Sequence, residues 1–312
     1  ASFPTSYNIE TVDIKLLHGV SLEPLLDEQQ QYWWKHFRWD FTSSRQLITR
    51  CLDMRSLNGT VLTKAGRPIG YSFFVQEDYK ALIGDLFLSA EYRNSFTERF
   101  LFERVFHLAT NYPGIQRVEG QLLTLSSPLE SESICNNQLQ MYRRLFMMTT
   151  KLGQTLEARP TKSNLQFDCW ATHYSNSAAH LITHTYMDHI DSRINNQYSN
   201  YSGVHRFLSS TLHQSICGTF CQAASLVALH RPSQEVCALC LASLVGPRVG
   251  HITQLCVAPH LANQGLGYEL LRRSLGTFRE LGCEAVGLTV TELNKHAVQL
   301  YEGVGFRAIH RF

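Results

Sequence analysis

The sequence predicts a mixed α/β fold of the α+β kind, built twice in tandem, each copy a central mixed, mostly antiparallel sheet flanked by helices. Three observations predict it. Apolar runs of strand length alternate with amphipathic helical runs along the chain. The same order of elements, strand, two helices, hairpin, strand, helix, strand, helix, occurs twice. Each copy also contains a hairpin, which makes neighbouring strands antiparallel.

In the first copy the pattern predicts a strand at 11–17, helices at 21–37 and 44–54, and strands at 59–65 and 68–78 around a Gly-Arg-Pro turn. A strand at 80–90 and a helix at 95–110 follow, then a strand at 118–125, a short helix at 136–147 and a strand at 165–173 that closes the half. Residues 150–163, TKLGQTLEARPTKS, read as a loop. The second copy starts with a strand at 179–186 and helices at 187–198 and 203–215. The hairpin AASLVALHR and VCALCLASLVG comes next, then the strand 250–259, the helix 265–282, the strand 284–292 and the helix 295–306. Two similar domains are expected, residues 1–175 and 176–312.

Composition narrows the function. With 312 residues, 44% hydrophobic and 17% charged, the chain has the balance of a folded protein with two cores. Basic residues number 28 and acidic 26, with no long run of either sign, so no field is set up for nucleic acid. No apolar run reaches the roughly 18 residues that cross a bilayer, and the start, ASFPTSYNIETVD, has neither a basic region nor an apolar core. The expectation is a cytoplasmic protein with no membrane partner. Nine cysteines without a repeating spacing read as reduced core thiols. The CxxC at Cys237 and Cys240 falls in a strand, where residues three apart face opposite ways, so no metal is expected.

Two blocks carry chemistry. The first, Val257-Ala-Pro-His-Leu-Ala-Asn-Gln-Gly265-Leu-Gly267, is a strand end, a glycine-bearing loop and a helix start. Such a junction aims free backbone N–H groups and the positive end of the helix dipole at an anion. The second block is Asn294-Lys-His-Ala297-Val-Gln-Leu300-Tyr301, ending in Gly305-Phe306. Together they resemble the signature of the GNAT superfamily of N-acetyltransferases, whose first block reads V-x-P-x-x-(Q/R)-x-x-G-x-(G/A). Ala262 stands at the usual Gln/Arg position, a departure from the pattern.

The resemblance implies an acyltransferase that uses acetyl-CoA and acetylates a primary amine on a small molecule or peptide, through a ternary complex. It implies that Leu255, Cys256 and Val257 offer backbone to the pantetheine arm, as an extended ligand joins a sheet edge. It implies that Ala262, Asn263, Gln264, Gly265, Leu266 and Gly267 cradle the pyrophosphate, that Asn294 holds the far end of the pantetheine, and that Tyr301 protonates the leaving thiolate. For the base that takes the amine's proton, His251 and Glu292 are the candidates, with His184 and His189 a third possibility and Gln254 able only to position. The segment with Asp188, His189, Asp191, Arg193, Asn195 and Tyr198 falls where the family roofs its acceptor pocket, although a solvated helix face reads the same way.

Aligned by strand order, the first half places Leu88 where Val257 stands, Arg93 at the Ala262 position, Leu82 at the His251 position, and Phe96 and Glu98 at the two glycines. A ring and a carboxylate there oppose a pyrophosphate. Asn136, Asn137 and Tyr142-Arg-Arg-Leu-Phe146 look like remnants of the second block, so the first half reads as degenerate. A non-catalytic acyl-CoA sensor and an O-acyltransferase are the alternatives. Monomer and homodimer are both compatible with the sequence.

Overall fold

The computed structural model describes residues 8–126, 139–152, 156–160, 164–214 and 218–312. They divide into two compact units, one ending at Met141 and the other spanning Tyr142–Arg311.

The first unit has the order β1 (Ile9–Asp13), α1 (Gly19–Phe37), α2 (Thr42–Asp53), β2 (Asn58–Lys64), β3 (Arg67–Glu77), β4 (Lys80–Leu88), α3 (Ser95–Thr110) and β5 (Arg117–Gly120). These five strands form one sheet in sequence order, antiparallel except where β4 meets β5. The β2–β3 hairpin turns through Ala65 and Gly66, both at positive φ, the handedness that matches strand twist. Successive side chains enter opposite cores: Leu62, Phe74 and Leu86 pack toward α3, Val61, Phe73 and Phe87 toward α1 and α2. Both faces are buried, which is why these strands read as nearly continuous apolar runs.

The second unit contains β6 (Arg144–Thr149), β7 (Leu165–Cys169), α4 (Ser175–Tyr186), α5 (Ile190–Ile194), α6 (Tyr201–His213), β8 (Thr219–Phe220) and β9 (Leu226–His230). Then come β10 (Glu235–Gly246), β11 (Val249–Val257), α7 (Leu266–Glu280), β12 (Ala285–Thr291), α8 (Lys295–Val304) and β13 (Arg307–Arg311). Its sheet runs β13-β6-β12-β11-β10-β9-β7, with β8 on β10. Only β11 and β12 are parallel neighbours.

Four expectations differ from the structure. Residues 179–186 are helical, because Ala178, Ala179, Leu181 and Ile182 of α4 recur at helical spacing and bury one face. The helix expected at 136–147 is not formed in its described part: residues 139–143 are irregular, and Arg144 begins the strand β6, inserted between β12 and β13 with nearly every side chain buried. Its Asn136 and Asn137 lie outside the described residues. The segments that form β6 and β7, read from sequence with the first half, pair within the second unit's sheet, and the compact units part at Met141 rather than near 175. β13 was not expected at all; Gly305, at φ 107°, stops α8 and turns the chain into this exposed edge strand.

In each unit, the first strand of the parallel pair carries one extra residue: Gly84 in β4 and Thr253 in β11. Just after Gly84 lies Asp85, buried, accepting hydrogen bonds from Gln29 Nε2 and from the Leu86 N–H at 2.9 Å. Gln29 in turn accepts from the Tyr71 hydroxyl at 2.5 Å. Burial lifts the Asp85 carboxyl from 3.8 to about 6 despite those donors. A raised carboxyl binds its proton more tightly when folded, so its contribution favours the native state at low pH and is lost as pH rises from about 4 through 6. The difference is ~3 kcal/mol. Urea unfolding of the chain should show the first unit more stable at pH 4.5 than at pH 7, and Asp85→Asn should flatten that slope; equal slopes in the two proteins would refute this origin.

Candidate active site

The parallel pair β11 and β12 is bonded only from Val249–Ala285 to Ile252–Leu288. Beyond Ile252, β11 keeps β10 on one edge, with Leu255 opposite Cys240, Cys256 opposite Leu239 and Val257 opposite Ala238. β12 keeps β6 on its far edge as far as Thr291. The two strands have parted, and the extra residue Thr253 at the point of parting supplies the local twist that separates them. Residues 254–257 thereby present a backbone edge that no described strand of the sheet covers.

At the mouth of this opening the chain passes through the turn Pro259–Leu261 into α7. Ala262 is extended, Asn263 is left-handed at φ 59°, and Gly265 is left-handed at φ 80° and caps the helix. An added Cβ on Gly265 would meet nothing within 4 Å, so its backbone conformation demands the glycine. A Cβ on Gly267 would sit 3.4 Å from Leu300 Cδ2 and 3.6 Å from Val257 Cγ2, ordinary contacts that the fold could accept. Its absence keeps the backbone bare on the side of the opening. No side chain caps α7, so the N–H groups of its first turn keep their donor capacity. Gln264 ties the loop down by donating to the His260 carbonyl at 3.0 Å. Glu269 lies buried in the first turn; burial alone would raise its carboxyl, but Arg272 at 2.7 and 2.8 Å and Arg273 at 2.7 Å hold it below the ordinary carboxylate range. The helix start is therefore net positive. An acyl coenzyme fits the pair of features, an open strand edge for its extended arm and uncapped N–H groups for its phosphates.

Inside the opening, α8 and the segment after α4 bring polar groups together. Tyr301 is buried, and burial, with lesser contributions from Cys240 and Asp191, raises its hydroxyl well above the usual tyrosine value. It keeps its proton, as a general acid must. Asn294 caps α8 by accepting from the Ala297 N–H at 3.2 Å, and its amide nitrogen lies 3.3 Å from His189 Nε2. Gln254 donates to the Tyr186 hydroxyl at 2.7 Å and accepts from that of Tyr198 at 3.4 Å. The rings of Tyr186 and Tyr198 stack at 4.8 Å. Asp191 accepts from the Thr291 hydroxyl and lies 3.5 Å from His189 Nδ1.

The two leading candidate bases sit elsewhere. His251 is buried against the ring of Phe146, 5.9 Å between centroids, and burial pulls its imidazole down to about 4. Glu292 is paired with Arg311, whose hydrogen bond holds its carboxyl below the ordinary range. The structure brings together Tyr301, Asn294, Gln254 and the 189–198 segment, and adds Tyr186 and Thr291, which no sequence motif singled out. Reading α4 as a strand hid Tyr186; Thr291 carried no signal apart from its place three residues before Asn294.

The first unit repeats the parting, since β4 pairs with β5 only over Lys80–Arg117 to Ile83–Gly120. Its helix start is closed by its own side chains. Asn94 caps α3 by accepting from the Thr97 N–H at 3.0 Å, and the buried Glu98 accepts from the Ser126 N–H at 2.8 Å. Glu28 takes the Ala90 N–H at 2.5 Å, and Arg93 donates to the Leu88 carbonyl at 2.6 Å while lying over the Tyr32 ring. Carboxylates occupy the side where phosphates would approach.

Residues 199–306 match the Acetyltransferase (GNAT) family. Among solved structures, the chain is similar to a GCN5-related N-acetyltransferase from Sphaerobacter thermophilus, with TM-score 0.66 and 14% identity over 99% of this chain and 95% of that one. It is also similar to a tandem GNAT protein from the clavulanic acid biosynthesis pathway, with TM-score 0.57 and 12% identity over 97% and 96%. A GNAT-family acetyltransferase from Colwellia psychrerythraea aligns at TM-score 0.54 and 13% identity, over 97% of each chain. No curated protein matches the sequence. Residues 199–306 thus match the GNAT acetyltransferase family, within a chain whose fold is similar over nearly its whole length to those solved structures.

Proposed function

We propose that the chain is an N-acetyltransferase, moving an acetyl group from acetyl-CoA to a primary amine by direct attack while both are bound. The observation that carries this reading is the uncovered β11 edge leading straight to the uncapped start of α7 at Gly265. That pairing suits a ligand with an extended amide-bearing arm and a pyrophosphate at one end.

In this reading, the backbone of Leu255, Cys256 and Val257 pairs with the pantetheine arm, and the N–H groups across 262–267 hold the pyrophosphate. Ala262 offers only a methyl group, so the grip there is main-chain alone. A main-chain N–H near Val257 polarises the thioester oxygen as charge develops on it. Tyr301 gives its proton to the departing sulfur. Asn294, spent on capping α8 and on His189, positions the pocket wall instead of taking the pantetheine. His251, with an imidazole near 4 and packed on Phe146, is a poor acceptor of an amine's proton, and Glu292 is occupied by Arg311. His251 instead packs against Phe146 within the sheet.

Calorimetry with acetyl-CoA tests the coenzyme site. One site per chain is expected, lost in the double variant Gly265→Glu, Gly267→Glu, which copies the carboxylate found at Glu98; no binding by the unaltered protein would end the acyltransferase reading. For the chemistry, Tyr301→Phe should lower kcat by about 10²-fold with acetyl-CoA binding unchanged. Retention of full kcat would remove Tyr301 as the acid, and a total lack of thiol release with every amine would favour a sensor.

A further inference from the structure

We propose that Arg159 meets the 3′-phosphate of coenzyme A and so makes the site specific for that coenzyme, an inference that rests on the acyl-CoA reading. Coenzyme A carries two kinds of phosphate. Each half of its pyrophosphate is a diester with a single charge, whereas the 3′-phosphate on its ribose is a monoester of about −1.5 to −2 at pH 7. Main-chain N–H groups and a helix dipole suit the diester. A dianion calls for a full cation with several donors, and a guanidinium supplies both.

The junction between β11 and α7 has no such cation of its own. From Val257 to Gly267 the chain contains no lysine or arginine, and His260 is its one titratable base. Arg272 and Arg273, further along α7, are both bonded to Glu269.

Arg159 reaches the same place from elsewhere in the chain. Residues 156–160, between β6 and β7 in sequence, are pinned at two points: the Tyr268 hydroxyl donates to the Glu157 carbonyl at 3.0 Å, and Leu156 packs on the second unit's core. The Arg159 guanidinium lies over the Tyr268 ring, 3.8 Å from its centre. Tyr268 belongs to the first turn of α7, so this charge stands within about 10 Å of the uncapped Tyr268 N–H, the distance over which charges act in 0.1 M salt. Stacking engages the face of the guanidinium and leaves its in-plane N–H donors for an anion. Arg159 is exposed and has no carboxylate partner among the described residues. Glu157, exposed in the same segment, is the charge that works against a phosphate here.

Direction separates Arg159 from the arm of the ligand. A Cβ on Gly267 would face Leu300 and Val257, the side of the opening. Tyr268 comes next, about 100° further round the helix, so Arg159 flanks the α7 start away from the strand edge. With the arm along β11 and the pyrophosphate at Gly265, the nucleotide is the part of the coenzyme that extends beyond, and Arg159 is the cation on that flank.

Calorimetry of the full chain with coenzyme A and with 3′-dephospho-coenzyme A tests this. The unaltered protein should bind coenzyme A about tenfold more tightly than the dephospho form. Arg159→Ala should weaken coenzyme A about tenfold and leave the dephospho form unchanged, which also serves as the control for folding. Arg159→Lys keeps the charge and loses the planar fork, so it should retain part of the preference. In the unaltered protein the preference should shrink between about 50 and about 500 mM salt. No preference in the unaltered protein, or one that survives in Arg159→Ala, overturns the assignment. So does an equal loss with both coenzymes, which would put Arg159 at the pyrophosphate or in the scaffold. All three outcomes leave the coenzyme site standing, whereas no binding of either coenzyme by the unaltered protein overturns both readings.

Discussion

The parting of β11 from β12 is the constraint on which the rest depends. After four bonded pairs the strands separate, and the extra residue Thr253 marks where. A continuous parallel ladder would satisfy the backbone of residues 254–257 internally and leave nothing for an extended ligand. Separation exposes that edge, and the core fixes α7 beside it. Gly250 shows how closely: a Cβ there would lie 2.6 Å from the Phe278 ring, so that ring packs directly on the bare strand backbone. That contact anchors the last turn of α7, while the short turn after Val257 brings its uncapped start to the end of the opened strand.

The two units share one geometry and differ at the start of its helix. Each has a strand with one extra residue, a parallel pair that parts after four residues, and a helix beginning just beyond. In the second unit that helix begins on a glycine in left-handed conformation, with Glu269 neutralised by two arginines. In the first it begins on a capping asparagine, with a buried carboxylate in its first turn and a second, Glu28 of α1, bonded to the preceding loop. The same geometry is therefore open to an anion in one unit and occupied by the chain's own acceptors in the other. Capping stabilises a helix by about 1 kcal/mol, and an uncapped start gives that up while keeping donors that face a ligand.

Electrostatics divides labour among the polar groups of the opening. Tyr301 is kept protonated by burial, the state from which it can give a proton. Cys240 and Cys256 are pushed up to about 12 by burial and stay neutral. His251 is held neutral in the sheet. Asp191 accepts from the Thr291 hydroxyl, lies 3.5 Å from His189 Nδ1, and adds to the rise of the Tyr186 and Tyr301 hydroxyls.

What the sequence determined by itself was local. The α+β class, the two hairpins and the helix beginning at the Gly265 loop follow from apolar periodicity and turn chemistry, which act over a few residues. The Val257–Gly267 and Asn294–Phe306 blocks were legible for the same reason, each being one continuous stretch. Tertiary structure decided whatever depended on pairing between distant segments. It placed β6 between β12 and β13, because a six-residue apolar run pairs wherever an edge is available. It made α4 a helix because burial of one face outweighed the β-branched residues that suggested a strand. It buried His251 and tied Glu292 to Arg311, and it brought His189 and Asp191 to Thr291 and Asn294, about a hundred residues away in the chain. A side chain's protonation depends on what surrounds it in space, and no pattern within one segment records that.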